Sequence, residues 1–156
     1  MAWKMAQSHH CDQLYIAPGN AGTAGFGTNL NLSVTDFEAI KTTCMEKEIH
    51  MLVVGPEEPL VKGIYDFCKN DEALNHIIVV GPSKAAAQLE GSKAFSKKFM
   101  ERHGIPTASY AEFTAANFEE GKAYIQQHSL PVVLKADGLA AGKGVVIANT
   151  TQEALD

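Results

Sequence analysis

The sequence predicts an α/β fold built on a parallel, doubly wound sheet. Two observations carry that prediction. Three short apolar runs, 14–17, 51–54 and 77–80, lack the in/out alternation of a half-exposed strand. Strands read this way when helices cover both faces of their sheet. Between the runs lie stripes of helical period, and the alternation of the two periods marks βαβ units. A third observation places the ligand edge. Two runs end alike, in Val53-Val54-Gly55-Pro56 and Val79-Val80-Gly81-Pro82. Gly-Pro ends a strand and turns the chain outward at the carboxyl edge, where open parallel sheets bind ligands.

In chain order, the first residues read as part of a helix, with no strand before it. Run 14–17 is then a strand, and "APGNAGTAGFG" (17–27) leaves its carboxyl end. That loop either forms an anion nest from successive backbone N–H groups or simply closes a βα unit. Thr35 and Glu38 form a capping box for a helix carrying Phe37, Ile40 and Cys44. After strand 51–54, Glu57 or Glu58 stands ready to bind hydroxyls or an amine, although acids at a helix start are favoured in any case. The next helix places Leu60, Val61, Ile64, Phe67 and Cys68 on one stripe.

After strand 77–80 a helix over 84–103 packs Phe95 and Phe99 and displays Lys93, Lys97, Lys98 and Arg102. A solvated face explains the last three; Lys93 sits beside a turn and is explained less well. Gly104 stops this helix and Pro106 follows. Segment 107–113 is expected as a strand, Asn117 and Glu120 as the start of a helix to about His128, and 132–135 with 145–148 as a hairpin. "TTQEALD" reads as a first helical turn, so both ends of the chain look truncated. The expected division is 1–104, a Rossmann-like domain lacking its first strand, and 105–156, a second, incomplete subdomain.

Composition narrows the function. The net charge of −5, from 13 basic and 18 acidic residues, gives no electrostatic footprint for nucleic acid. No apolar run approaches the roughly 20 residues of a membrane span, and no signal-peptide core is present. Cys11, Cys44 and Cys68 are widely spaced, two of them expected in the core, and read as reduced thiols of a cytoplasmic protein. The six histidines form no HxxxH or HExxH pattern. No metal site, Ser-His-Asp or Cys-His arrangement is identifiable, and no catalytic residue is assigned.

"VLKADGLAAGKGVVIA" (133–148) is the segment richest in chemical meaning. A P-loop needs GxxxxGK[ST] followed by a helix. Here Gly138 to Gly142 is one residue short, Gly144 replaces the hydroxyl residue, and a strand follows. The GxGxxG fingerprint fails too. What remains is a Gly-rich hairpin lid of the kind that covers ATP phosphates in protein kinases, with Lys135 and Lys143 supplying charge. An ordinary exposed hairpin with solubilising lysines is the plain alternative.

Jointly, "APGNAGT", "VVGPEEPLVKGI", "GPSKAAAQLEGSKAFSKKFMERHGIPTASY" and "PVVLKADGLAAGKGVVIA" closely resemble the glycinamide ribonucleotide synthetase family of the ATP-grasp superfamily, over essentially the whole chain. The resemblance implies a pre-ATP-grasp domain followed by the start of an ATP-grasp lid. It implies ATP-driven joining of glycine to 5-phosphoribosylamine through a glycyl phosphate, in de novo purine synthesis, with Mg2+ or Mn2+. On the matching positions, Lys93 and Lys135 contact ATP phosphates, and Gly142, Lys143 and Gly144 belong to the hairpin over the nucleotide. Gly19, Asn20, Gly22, Thr23 and Glu57 face the phosphoribosylamine site. The family's first strand, its GxGGREH loop and its acidic and Asn metal ligands have no counterpart here. The chain is therefore expected to be an incomplete piece, inactive alone, weak in nucleotide binding and marginally stable. A non-catalytic phosphosugar- or nucleotide-binding module and another ATP-grasp ligase or carboxylase are the alternatives.

Overall fold

A computed structural model describes residues 1–140 and 143–156. The chain divides into two compact units, Met1–Ala85 and Ala86–Asp156. The expected division at 104/105 left the helix carrying Lys93 with the first unit. The compact division instead places that helix with the hairpin, because Asp137 bonds directly to its first turn.

In the first unit, α1 (Ala2–Met5) precedes β1 (Tyr15–Ile16) and β2 (Thr28–Asn29), which pair in parallel with Tyr15 opposite Thr28. Helix α2 (Phe37–Glu46) leads to β3 (Met51–Val53), and α3 (Glu57–Lys62) and α4 (Ile64–Asn70) lead to β4 (Ile78–Val80). β3 and β4 are parallel, with Leu52 opposite Val79. The α/β character and parallel pairing follow the sequence, but the four strands make two separate ladders. Between β1 and β3 lies an apolar slot of about 300 Å3, lined by Tyr15, Ile16, Met51 and Val53 among others. Alternate residues of a parallel strand direct their backbone groups to opposite neighbours. Those of Tyr15, Met51 and Val53 therefore point away from their partners.

The strands are also less buried than their apolar character predicts. Met51 is 52% and Ile78 57% exposed, so the expectation of strands covered on both faces is corrected. The core lies where α2 and α4 meet the segment before β4: Ile40, Cys44, Ile64, Cys68, Leu74 and Ile77. Fully burying a side chain such as Ile64 or Leu74 contributes about 1.5–3 kcal/mol.

Helix boundaries differ from expectation for local reasons. Asp36, not Thr35, caps α2 by accepting the Ala39 N–H at 3.1 Å. The single stripe from Leu60 to Cys68 is two helices, because Gly63 adopts φ 98° and ends α3.

The second unit contains α5 (Lys84–Gly91, begun in the first unit) and α6 (Lys93–Arg102), where one long helix was expected. Ser92 takes extended backbone between them, and its side chain accepts the Phe95 N–H at 3.1 Å. Gly104 ends α6 region with φ 63°, as expected of a stop residue. Segment 107–113 forms no strand, a second correction. Lys97 instead bonds Thr107 Oγ1 and the Ala108 carbonyl, and Lys98 pairs with Glu112. Asn117 stands at the N-cap of α7 (Phe118–Gln127), as expected, but its side chain makes no cap bond to that helix and instead closes a capping box with Thr114 around the preceding 3-10 turn (Ala115–Asn117). The hairpin β5 (Val132–Lys135) and β6 (Val145–Ala148) forms as predicted, with Lys135 opposite Val145. α8 (Thr151–Leu155) packs Ala154 against Val132 and Ala148. Among the described residues no helix is long and apolar enough to cross a membrane.

Candidate functional site

Two groups of predicted residues occur, one in each unit. In the first unit the loop after β1 is fastened by Asn20. Its Oδ1 accepts the Gly22 N–H at 2.8 Å and the Thr23 N–H at 3.1 Å, and its own N–H donates to Thr23 Oγ1 at 2.8 Å. Asn29 on β2 closes the knot, donating from Nδ2 to the Asn20 carbonyl at 2.8 Å. The Thr23 hydroxyl lies 2.8 Å from Asn29 Oδ1. Gly19 has φ 75°, and a Cβ there would overlap the Asn29 side chain. The structure therefore brings Gly19, Asn20, Gly22 and Thr23 together around Asn29, a residue the sequence did not single out.

This knot bears on one of the two readings of that loop. The amides of Asn20, Gly22 and Thr23 are bonded within the loop, so they are not free to form an anion nest. Glu57 is the exposed first residue of α3, at the loop after β3; its neighbour Glu58 is paired with Lys62.

In the second unit the hairpin and the start of α6 meet. Asp137, just beyond β5, accepts the Lys93 N–H at 2.6 Å, the Ala94 N–H at 3.2 Å and the Ser92 hydroxyl at 2.9 Å. The Lys93 ammonium donates to the Gly138 carbonyl at 2.8 Å. Burial acts to raise the Asp137 pKa, but hydrogen bonds from Ala94, Ser92, Lys93 and Gly138 outweigh it and hold the group below the ordinary carboxylate value. Asp137 is thus charged at neutral pH beside the positive end of a helix. It is the second residue the sequence reading missed.

Lys135 and Lys143 are exposed, and among the described residues neither ammonium is paired. Lys135 shares one face of the hairpin with Val133, Val145 and Ile147, because residues two apart along a strand, and those directly opposite, point the same way. Those three are 45–63% exposed. An open apolar face next to a free cation suits a ligand with a flat apolar part and an anionic tail, as a nucleotide has. Gly144 lies where a Cβ would press on Ala136 and Ala140, at 3.0 and 2.8 Å, so the two sides of the hairpin approach closely only with glycine there. The expectation for Gly142 lies outside the described residues. Among the described residues no three His, Cys, Asp or Glu side chains converge.

Comparison with known proteins gives the lineage. Residues 1–90 match the family described as phosphoribosylglycinamide synthetase, N domain, and residues 91–156 its ATP-grasp (A) domain. The phosphoribosylamine–glycine ligase of Vibrio cholerae is 49% identical over 158 aligned residues, covering all of this chain and 35% of that protein. The Agrobacterium fabrum protein of the same name is 50% identical over 155 residues, covering 99% of this chain and 35% of its own length. The chain thus spans about a third of the curated relatives it matches. The crystal structure of phosphoribosylamine–glycine ligase from Thermotoga maritima is 32% identical with a TM-score of 0.68, over 99% of this chain and 34% of that one. The biotin carboxylase domain of Hydrogenobacter thermophilus 2-oxoglutarate carboxylase, solved with MgADP, shares the fold at 21% identity and a TM-score of 0.73, over 99% of this chain and 36% of that one.

Proposed function

The chain belongs to the phosphoribosylglycinamide synthetase family, and we propose that it supplies part of an enzyme joining glycine to 5-phosphoribosylamine at the expense of ATP. The observation that carries this reading is the second unit's hairpin: Lys135 and Lys143, unpaired among the described residues, an exposed apolar face beside Lys135, and Lys93 fastened to its turn.

The chemistry explains why cations are needed. A carboxylate is a poor electrophile, so one glycine oxygen first takes the γ-phosphoryl group of ATP, giving glycyl phosphate and ADP. The phosphoribosylamine nitrogen then attacks the acyl carbon, the bond to the phosphate oxygen breaks, and the nitrogen loses a proton. Most of the charge to be stabilised lies on phosphate oxygens, which positioned cations serve well. Lys93, Lys135 and Lys143 hold ATP phosphates in this reading, and Gly142 and Gly144 let the backbone come close. Magnesium accompanies the nucleotide, with ligands beyond the described residues of this chain.

Gly19, Asn20, Gly22, Thr23 and Glu57 belong to the phosphoribosylamine side. Because the amides of Asn20, Gly22 and Thr23 serve the loop itself, the ligand is met by the loop's outer surface and by Glu57, not by a nest. In this reading residues 1–104 serve the substrate side, apart from Lys93, and 105–156 begin the lid over ATP. The free thiols fit a reducing compartment such as the cytoplasm.

A segment replacement tests the reading. Residues 1–156 would replace the matching 35% of the Vibrio cholerae ligase, and a purine auxotroph lacking the ligase would carry the hybrid. Growth without purines, lost on Lys135→Ala, supports the proposal. A soluble hybrid that gives no growth, or one indifferent to Lys135→Ala, contradicts it.

A further inference from the structure

Resting on the hairpin's role in holding nucleotide, we propose that Asp137 is a positioning residue whose carboxylate latches the hairpin turn onto the first turn of α6 and so fixes where the Lys93 ammonium stands.

The latch is built from two consecutive residues that grip one lysine twice. Asp137 Oδ1 takes the backbone N–H of Lys93, and the Gly138 carbonyl takes its side chain. The second grip needs the chain to reverse after Asp137, which Gly138 does with φ 86°, a left-handed conformation costly for other residues.

A local cap already exists, since Ser92 accepts the Phe95 N–H. Asp137 adds what a local cap cannot. It satisfies the next two free amides, Lys93 and Ala94, from 44 and 43 residues away, and orients the Ser92 hydroxyl by accepting its hydrogen bond. The hydrogen bonds that hold Asp137 below the ordinary carboxylate value keep it charged, and a carboxylate bonds these amides more strongly than a neutral acceptor. Without it, Ser92 would still start the helix, but Lys93 and the hairpin lysines would no longer be presented in one fixed arrangement.

The test uses the full 156-residue chain and two readouts that do not depend on each other. The first is amide exchange at Lys93 and Ala94, with the 15N signal of the Lys93 ammonium. The second is affinity for MgATP. Asp137→Ala should speed exchange at both amides and weaken MgATP by about tenfold, while broadening or shifting the ammonium signal. Asp137→Asn, which keeps an accepting oxygen without the charge, should recover part of both effects. Asp36→Ala removes a cap from α2 and should leave MgATP affinity unchanged.

Unchanged exchange and an unchanged ammonium signal in both Asp137 variants would overturn the latch. So would faster exchange with wild-type MgATP affinity, which would reduce Asp137 to a simple helix cap. If the wild-type chain binds no MgATP, the nucleotide reading fails. The latch is then judged on the Lys93 ammonium signal, whose persistence in Asp137→Ala would overturn it.

Discussion

The ammonium of Lys93, the first residue of α6, donates to the carbonyl of Gly138 at 2.8 Å in the turn after β5. This bond separates two roles of one lysine. Lys93→Met keeps the backbone N–H that Asp137 accepts and removes only the charge. Its MgATP affinity should fall about tenfold while exchange at the Lys93-position amide stays slow. Equal affinity by calorimetry would show that this charge does not face the nucleotide.

Gly63 joins α3 to α4 at φ 98°, and a Cβ there would lie 3.1 Å from Lys84 Cδ. Lysine side chains yield, but the backbone conformation does not. Gly63→Ala should therefore cost about 1–2 kcal/mol in urea denaturation. An unchanged midpoint would mean the two helices tolerate another junction.

Burial pushes the Cys68 thiol up to about 11, with Cys44 and Asp71 adding to the rise and Lys69 opposing it. Burial also raises Cys44. At pH 8 the Cys68 thiolate is then only about a thousandth of the population. Iodoacetamide on the native chain should modify half-exposed Cys11 first, with Cys44 and Cys68 reacting only in denaturant. Equal rates at all three would contradict the assigned core.

Lys41 pairs with Asp71, joining α2 to the segment after α4. The hydrogen bond from Lys41 is the main cause holding Asp71 below the ordinary carboxylate value, and the same bond raises Lys41. The two signs define two windows. Asp71 contributes stability that is complete above the ordinary carboxylate pKa and is lost as pH falls through its depressed one. Lys41 contributes stability that is complete below the ordinary lysine pKa and is lost as pH rises through its raised one. Asp71→Asn should flatten both limbs of the stability–pH curve. Unaltered acid and alkaline limbs would remove the pair from the account.

The sequence made the hairpin legible because its strands, glycines and lysines are all local signals. The same holds for the parallel pair Met51–Val53 and Ile78–Val80. Lys93 also stood out, lying beside a turn. Its partner did not: in "KADG" Asp137 reads as an ordinary turn residue, and nothing nearby announces bonds to amides 43 and 44 residues away. Asn29 was hidden for a related reason, since it works across a strand pair of only two residues. The breaks at Gly63 and Ser92 had visible signals, a glycine and a capping serine, that continuous apolar stripes outweighed. The slot between β1 and β3 had no local signal, because strand composition does not reveal whether two ladders join.

In the proposed function, Lys93, Lys135 and Lys143 form one surface for nucleotide phosphates. Its most direct measurement is a 1H–15N titration of the chain with MgATP, with Mg2+ plus adenosine as control. The account predicts weak binding, with Kd about 1 mM. Shifts should centre on Lys93, Lys135, Gly138, Lys143 and Gly144, and adenosine should not reproduce those at the lysines. No shifts at these residues, or equal shifts with adenosine, would contradict it.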